Sequence, residues 1–204
     1  MITIVNYNAG NIVSIKNMLK KIGATSTITS DPKHVMQAEK LIIPGVGHFD
    51  HGMNELKNLG LDSAIKEVVE SKHIPVLGIC LGAQIMGNGS EEGNIPGLQL
   101  LDFNVVKFDK SEMNENLKIP HMGWAEISFM KDGKLSAGMP ELSRFYFVHA
   151  FHFKMHNQSD TLATAKHGYE FAAAFEKDNV FGVQFHPEKS HKFGMQLLKN
   201  FVSL

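Results

Sequence analysis

Residues 75–86 read Pro-Val-Leu-Gly-Ile-Cys-Leu-Gly-Ala-Gln-Ile-Met, an apolar run that passes into a helical pattern around a cysteine. Residues 75–79 are predicted to form a buried strand and residues 81–86 a short helix. Gly78-Ile79-Cys80-Leu81-Gly82 is the cysteine form of the nucleophile elbow, a strand that turns at once into a helix. A Cβ atom at either glycine would collide with neighbouring backbone. The turn would expose the thiol at the carboxyl end of a sheet, beside a helix N-terminus that favours the thiolate.

The residues before this stretch alternate between strand and helix signals. Strands are predicted at 2–7, 24–29 and 40–43, the last ending at Pro44-Gly45-Val46-Gly47. A helix is predicted from apolar residues at helical spacing, and Gly23 stands where it should end. A second helix is predicted to begin at Asp31-Pro32, and a third contains Leu61, Ile65, Val68 and Val69. This alternation predicts an α/β fold with a mostly parallel sheet and helices on both faces.

The residues after the stretch have a different character. Residues 87–97 are polar and glycine-rich and are predicted to form a loop. Strands are predicted at 105–108, 125–129, 144–151, 161–166, 171–175 and 180–185. Phe193, Leu197, Leu198 and Phe201 predict a closing helix. We therefore expect one domain over residues 1–204, whose second half adds antiparallel strands to the sheet or packs beside it.

Composition excludes several classes of protein. The chain has 204 residues, 43% of them hydrophobic, and a formal net charge of -1. This balance argues against a surface built for nucleic acid or membrane binding and against disorder. No apolar run approaches the ~18 residues that span a bilayer. The single cysteine, Cys80, rules out an internal disulfide and multi-cysteine zinc sites, which suggests a reducing cytoplasm.

A nucleophilic thiol needs a base, and Gln184-Phe185-His186-Pro187-Glu188 supplies a candidate. Residues two apart on an extended segment point to the same face, so His186 and Glu188 can lie side by side. The carboxylate can then orient the imidazole and support its charged form while the other ring nitrogen faces Cys80. Cys80, His186 and Glu188 are therefore the candidate catalytic residues.

Seven ordered blocks resemble the class I glutamine amidotransferases and, within them, the glutaminase subunits of imidazole glycerol phosphate synthase from histidine biosynthesis. The blocks are Asn6-Tyr7 with Gly10-Asn11, Pro44-Gly45-Val46-Gly47, Gly78-Ile79-Cys80-Leu81-Gly82 with Gln84, Ser90-Glu91-Glu92-Gly93, His121-Met122-Gly123-Trp124, Phe145 with Val148-His149, and His186-Pro187-Glu188-Lys189-Ser190. The resemblance implies the family's flavodoxin-like fold. It also implies that glutamine is hydrolysed to glutamate and ammonia through a thioester on Cys80.

The resemblance further implies roles for residues around the thiol. The backbone N–H groups of Leu81 and of the Val46-Gly47 segment would hold the oxyanion. Gln84 matches the family's contact to the carboxylate or amine of glutamine, and Glu92 matches its partner for the α-ammonium group. Ala150 and Phe151 would serve the substrate mainly through backbone groups.

A partner is implied as well. The family's glutaminase subunit forms a heterodimer with a (β/α)8-barrel cyclase, which uses the ammonia to make imidazole glycerol phosphate and an aminoimidazole carboxamide nucleotide. Lys189 and Trp124 are the candidate residues facing this subunit. No cofactor is expected, since no phosphate-binding loop is present. No metal site is expected, since the histidine pairs at 48/51 and 149/152 lack further ligands at metal spacing.

Some positions depart from the family pattern and keep alternatives open. Ala150 and Phe151 stand where Ser and Tyr are usual, and Ala125 where Asn is usual. These positions leave open a paralogous glutaminase that supplies ammonia for amidino groups on surface sugars. A different cysteine hydrolase, a non-catalytic binding subunit and the glutaminase of vitamin B6 synthesis are further alternatives. Gln84 and Glu92 argue against the first, the intact candidate triad against the second, and the opening and His121–Trp124 blocks against the third.

Overall fold

A computed structural model describes residues 1–113 and 116–204, in which the strands form one mixed sheet. In chain order they are β1 (Ile2–Val5), β2 (Ser26–Thr29), β3 (Lys40–Gly45), β4 (Val76–Cys80), β5 (Gly89–Ser90), β6 (Phe103–Lys107), β7 (His121–Phe129), β8 (Ser143–His149), β9 (Phe151–Met155), β10 (Thr161–His167), β11 (Tyr169–Lys177) and β12 (Val180–Val183). The main path of the sheet runs β2-β1-β3-β4-β12-β11-β10-β7-β8.

The first five strands of this path, β2 to β12, are parallel, and β1, β4 and β12 are buried along their whole length. Such continuous burial is typical of parallel strands covered on both faces. From β11 onward the pairing is antiparallel, and β9 and β6 branch off β11. The expected α/β fold is therefore confirmed, and the second half of the chain joins the same sheet.

Helices cover both faces of the parallel strands. They are α1 (Ile12–Lys21), α2 (Pro32–Val35), α3 (Phe49–Asn58), α4 (Leu61–Glu70), α5 (Leu81–Gln84) and α6 (His191–Val202). In one core, α3 and α4 pack against alternate residues of the strands. In the other core, α1 and α6 pack against the residues between them. Within the described ranges, none of the helices has the length and apolar character needed to cross a membrane.

Several helix boundaries agree with the signals in the sequence. The Asp31 side chain accepts a hydrogen bond from the Lys33 N–H at 2.8 Å, as expected of a residue that caps α2. Gly23 follows the end of α1 with a φ of +81°. The closing helix is present as α6, whose buried residues include Leu197, Leu198 and Phe201.

The predicted strand at 144–151 was wrong, because the chain forms two strands with a break at Ala150. Strand β8 pairs with β7, whereas β9 pairs with β6 and β11. The side chain of His149 bonds to the carbonyl oxygen of Phe151 across the break at 2.7 Å. One strand cannot follow both ladders, so the chain bends between them.

The predicted helix at 81–86 was too long, and the predicted loop at 87–97 contains a short strand. The carbonyl groups of Ile85 and Met86 accept hydrogen bonds from the N–H groups of Leu98 and Leu100, at 2.7 and 2.8 Å, so α5 ends at Gln84. Gly89–Ser90 forms β5 beside β6. Helix α3 was not predicted at all.

Candidate active site

Cys80 lies at the junction of β4 and α5 in a backbone conformation that ordinary residues rarely adopt. Its φ is 53° and its ψ is -113°. A conformation of this kind costs about 1–3 kcal/mol and is held by the surrounding structure. A Cβ atom at Gly82 would lie 1.8 Å from the carbonyl oxygen of Ile43, and one at Gly78 would lie 2.5 Å from the Cα of Ala83. Both collisions expected from the sequence are confirmed.

The thiol is the chain's single cysteine side chain, and it is almost completely buried. Helix α5 is only four residues long, one turn, so its N-terminus contributes less to a charge on Cys80 than a full helix would. Most of the electrostatic support for a thiolate must therefore come from side chains. Those side chains follow the neighbouring strand β12, which runs parallel to β4.

His186 and Glu188 follow β12 and form a buried pair beside Cys80. The imidazole Nδ1 donates to Glu188 Oε1 at 2.8 Å, and both side chains are only 1% exposed. Ser190 holds this segment, because its hydroxyl donates to the carbonyl oxygen of His186 at 2.6 Å and accepts from the N–H of Tyr146 at 3.0 Å. The other ring nitrogen of His186, Nε2, is buried and has no hydrogen-bond partner among residues 1–113 and 116–204.

The charge state of His186 follows from these neighbours. Burial lowers the pKa of the imidazole, but the Cys80 sulfur and the Glu188 carboxylate both act in the opposite direction and raise it to about 10. Because the raised pKa lies above neutrality, His186 is an imidazolium at pH 7. A cation at this position stabilises a thiolate on Cys80.

We expect this charge state to depend on the thiol. Replacing Cys80 with Ala should lower the pKa of His186 below its wild-type value of about 10, because burial is then opposed by Glu188 alone. Nitrogen-15 NMR of the histidine side chains across a pH titration measures this directly. If the titration of His186 in Cys80→Ala coincides with that of the wild type, the charge of Cys80 does not reach the imidazole.

A cavity of about 280 Å³ opens above Cys80. Its lining includes all the expected oxyanion and substrate residues: Val46, Gly47, Leu81, Gln84, Glu92, Ala150 and Phe151, together with Pro120, Val148, His149, Cys80 and His186. Glu188 lies behind His186, outside the lining. A larger cavity, of about 770 Å³, lies near the start of β12 at the opposite end of the parallel strands and contains none of these residues.

Gln84 and Glu92 are held in defined positions at this cavity. The Gln84 side-chain nitrogen donates to the carbonyl oxygen of Phe151 at 3.2 Å and to the Gln184 side-chain oxygen at 3.0 Å. The Glu92 carboxylate accepts from the N–H of Phe49, the first residue of α3, at 2.8 Å. An acidic group at a helix N-terminus is favourably placed.

Buried neutral histidines fix the bend that carries Ala150 and Phe151. Burial lowers the pKa of His149 far below its ordinary value and that of His121 to about 4. Because a carbonyl oxygen only accepts, the Nδ1 of His149 must donate to Phe151. Its Nε2 therefore accepts from the Nδ1 of His121, at 3.0 Å. This pair was not predicted from the sequence.

The two candidate partner-facing residues lie outside the cavity. Trp124 is 46% exposed, and its ring is stacked on that of His191 with an interplanar angle of 2°. Lys189 is exposed, with its Nζ 5.6 Å from the centre of the Tyr146 ring. In the part of the chain that the structure describes, no group of three or more His, Cys, Asp or Glu side chains could hold a metal ion.

Sequence reasoning missed two polar side chains around the thiol. Gln184, fully buried, donates from its side-chain nitrogen to Cys80 Sγ at 3.7 Å. Tyr7 is also fully buried, its hydroxyl group has no partner in the described ranges, and burial and the charge of Cys80 raise its pKa. A pattern did point to Gln184, since it lies two residues before His186 on an extended segment and shares its face.

Comparisons with a family model and with curated proteins agree on one family. The model of the class-I glutamine amidotransferases matches residues 3–204. Curated relatives include imidazole glycerol phosphate synthase subunit HisH 2 of Methanococcus maripaludis, 48% identical over 99% of this chain and 98% of its own length. The HisH 2 subunit of Pseudomonas aeruginosa is 48% identical over the full length of both chains, and the HisH subunit of Sulfurimonas denitrificans 45% identical over 99% of this chain and 97% of its own.

Solved structures agree in fold. A crystal structure of a glutamine amidotransferase has a TM-score of 0.76 at 18% identity, covering 98% of this chain and 97% of its own. PurLQS from Thermotoga maritima has a TM-score of 0.74 at 17% identity, covering 99% and 97%. At such identities the likeness concerns the fold alone. With the family model matched over nearly the whole sequence and relatives approaching half identity, the chain belongs to the class-I glutamine amidotransferase family.

Proposed function

We propose that this chain is the glutaminase subunit of an imidazole glycerol phosphate synthase, which hydrolyses L-glutamine and passes the ammonia to a cyclase subunit. The observation that carries the proposal is the buried His186–Glu188 pair beside the strained Cys80, all at one polar cavity. Relatives named as HisH subunits of this synthase support the pathway. The same names do not favour the amidino-sugar acceptor raised from the sequence.

The chemistry starts with the Cys80 thiolate, which attacks the side-chain amide carbon of glutamine. The resulting oxyanion is held by the N–H of Leu81 and one from Val46-Gly47, and each such donor contributes about 2.7–4 kcal/mol in the transition state. His186 gives its proton to the leaving nitrogen, so ammonia departs and a thioester remains. Neutral His186 then takes a proton from water, and the water oxygen attacks the thioester. Glutamate is released and the Cys80 thiolate is regenerated.

Recognition of the amino-acid end is assigned to the rim of the cavity. The Glu92 carboxylate has one oxygen bonded to the N–H of Phe49, and we propose that it receives the α-ammonium group of glutamine. The Gln84 N–H groups are used by Phe151 and Gln184, so its side-chain oxygen is the group that can accept from the substrate amine, and backbone groups of Ala150 and Phe151 complete the contacts. The volume of about 280 Å³ suits one small polar molecule.

The acceptor subunit completes the proposal. Residues 1–204 are proposed to form a single amidotransferase domain. We propose a (β/α)8-barrel cyclase in a heterodimer, with Trp124 and Lys189 on the facing surface. We place the complex in the cytoplasm, where a free thiol nucleophile stays reduced.

We expect the isolated subunit to hydrolyse glutamine slowly and to accelerate when the barrel subunit and its nucleotide ligand bind, because both must favour the same active conformation. Glutamate release should be measured for the subunit alone, with the barrel subunit, and with the barrel subunit plus ligand. Full activity in isolation would contradict the proposed coupling. Activation by the barrel without any response to the nucleotide would indicate a different acceptor.

A further inference from the structure

Gln184 lies between the residue that recognises substrate and the sulfur that attacks it. Its side-chain nitrogen donates to Cys80 Sγ at 3.7 Å, and its side-chain oxygen accepts from the Gln84 side-chain nitrogen at 3.0 Å. The side chain is fully buried. Burying an amide without hydrogen bonds costs free energy. The nitrogen and the oxygen of the Gln184 amide both form hydrogen bonds, and their partners are two different residues of the site.

The orientation of this amide follows from its neighbours. Amide nitrogen and oxygen atoms are otherwise difficult to distinguish, so the hydrogen-bond network must assign them. The end of Gln84 that lies 3.2 Å from the carbonyl oxygen of Phe151 must be nitrogen, because that oxygen can only accept. The same nitrogen then requires an acceptor on Gln184, which turns the Gln184 oxygen toward Gln84 and the N–H group toward the sulfur.

His186 also acts on the sulfur, and its interaction with Cys80 raises its own pKa. Its Nε2 nevertheless has no partner in hydrogen-bond geometry within the described ranges, and the hydroxyl of Tyr7 is likewise unpartnered. Glu92 and His149 line the same cavity. Across residues 1–113 and 116–204, Gln184 is the side chain whose N–H reaches Sγ within hydrogen-bond distance.

We propose that Gln184 is a further catalytic residue, which stabilises the Cys80 thiolate through its N–H group and holds Gln84 at the substrate through its oxygen. This inference deepens the proposed glutaminase function and rests on it. A thiolate is a stronger acceptor than a thiol, so the donor favours the reactive form. The hydrogen bond from Gln84 fixes the orientation of the Gln184 amide. One side chain therefore links recognition of the substrate with activation of the nucleophile.

The test measures the rate at which iodoacetamide alkylates Cys80 in the full chain, as a profile against pH. Gln184→Met keeps a side chain of similar length without a donor, and the midpoint of the profile should rise by about one pH unit or more. Gln184→Glu, once its carboxyl group is ionised, keeps the acceptor for Gln84 but points an oxygen at the sulfur. Its midpoint should rise further than that of Gln184→Met.

Thr161→Val is the matched control, since it removes a buried oxygen from β10, two strands away from β12 in the sheet. Its alkylation midpoint should match the wild type. If Gln184→Met and Gln184→Glu, each folded by circular dichroism, also match the wild type, the amide does not act on the sulfur and the proposal is overturned. A residue with a purely structural role would lower stability without moving the midpoint.

A measurement on the unsubstituted protein covers the case in which neither variant folds. The side-chain NH₂ signals of Gln184 should shift with pH as Cys80 titrates in nitrogen-15 NMR, and this shift should vanish in Cys80→Ala. Signals that stay constant across the titration of the thiol would overturn the proposal. Glutamine turnover by the wild-type complex is measured separately, so failure of the proposed function and failure of the Gln184 role are distinguishable.

Discussion

Replacing Cys80 with Ala is expected to abolish glutamine-dependent synthesis in the complex with the barrel subunit while leaving synthesis from added ammonium salts intact. The loss should be on the order of 10⁶ in turnover, as for removal of the nucleophile in serine hydrolases. No other cysteine exists in the chain, and the described residues that line the cavity include no serine or threonine to replace it. Added ammonia bypasses the thiol, so the cyclase reaction should continue.

The two rates on one preparation separate chemistry from folding. The ammonium-dependent rate controls for a complex that has failed to assemble, and Cys80→Ser controls for the loss of the side-chain volume. Residual glutamine-dependent synthesis near the wild-type rate in either variant would show that Cys80 is not the nucleophile. Loss of both rates in Cys80→Ala would instead indicate that Cys80 supports the assembly.

Replacing Glu188 with Gln is expected to reduce glutamine turnover by on the order of 10⁴, the loss seen when the orienting carboxylate of a serine triad becomes an amide. The amide leaves the pocket shape unchanged but removes the negative charge that raises the pKa of His186. Glutamine binding should survive, because Glu188 lies behind His186 and outside the cavity lining. The loss should be smaller than in His186→Ala, which removes the proton carrier itself.

The effect should appear in kcat, with KM for glutamine close to the wild-type value. Glu91→Gln is the matched control, since Glu91 is an exposed carboxylate in the loop beside Glu92 and its side chain bonds to the backbone of Lys107. That variant should turn over glutamine normally. Normal turnover in Glu188→Gln would show that the carboxylate does not support the base.

Much of the fold was predictable from local patterns. Alternating strand and helix signals over the first ninety residues predicted the parallel strands, and the capped start of α2 and the glycine after α1 were present in the structure. The break at Ala150 was not predictable, because it depends on which ladders β8 and β9 join. Helix α3 was missed although its buried residues follow helical spacing, because its start has no Ser, Thr, Asp or Asn cap and is held by His48 and by Glu92 from a distant loop.

The candidate site likewise contains residues that local sequence patterns predict and residues whose roles depend on the folded chain. The positions of three residues were expected: Cys80, His186 and Glu188. They depend on a glycine-flanked turn and on alternation along an extended segment, and both features can be recognised in a short stretch of sequence. Gln184 shares that alternation, but its role depends on Gln84 and Phe151, which approach it only in the folded chain. The histidine pair at 121 and 149 likewise acquires its proton arrangement from burial and from strand pairing.

The central claim is that glutamine is hydrolysed through a covalent bond to Cys80. Rapid acid quenching of the wild-type complex during turnover, followed by mass spectrometry of its peptides, tests this claim most directly. The account predicts one γ-glutamyl group, carried by the peptide that contains Cys80 and absent from Cys80→Ser. Sustained glutamine turnover with an unmodified Cys80 peptide, or a glutamyl group found on another residue, would contradict it.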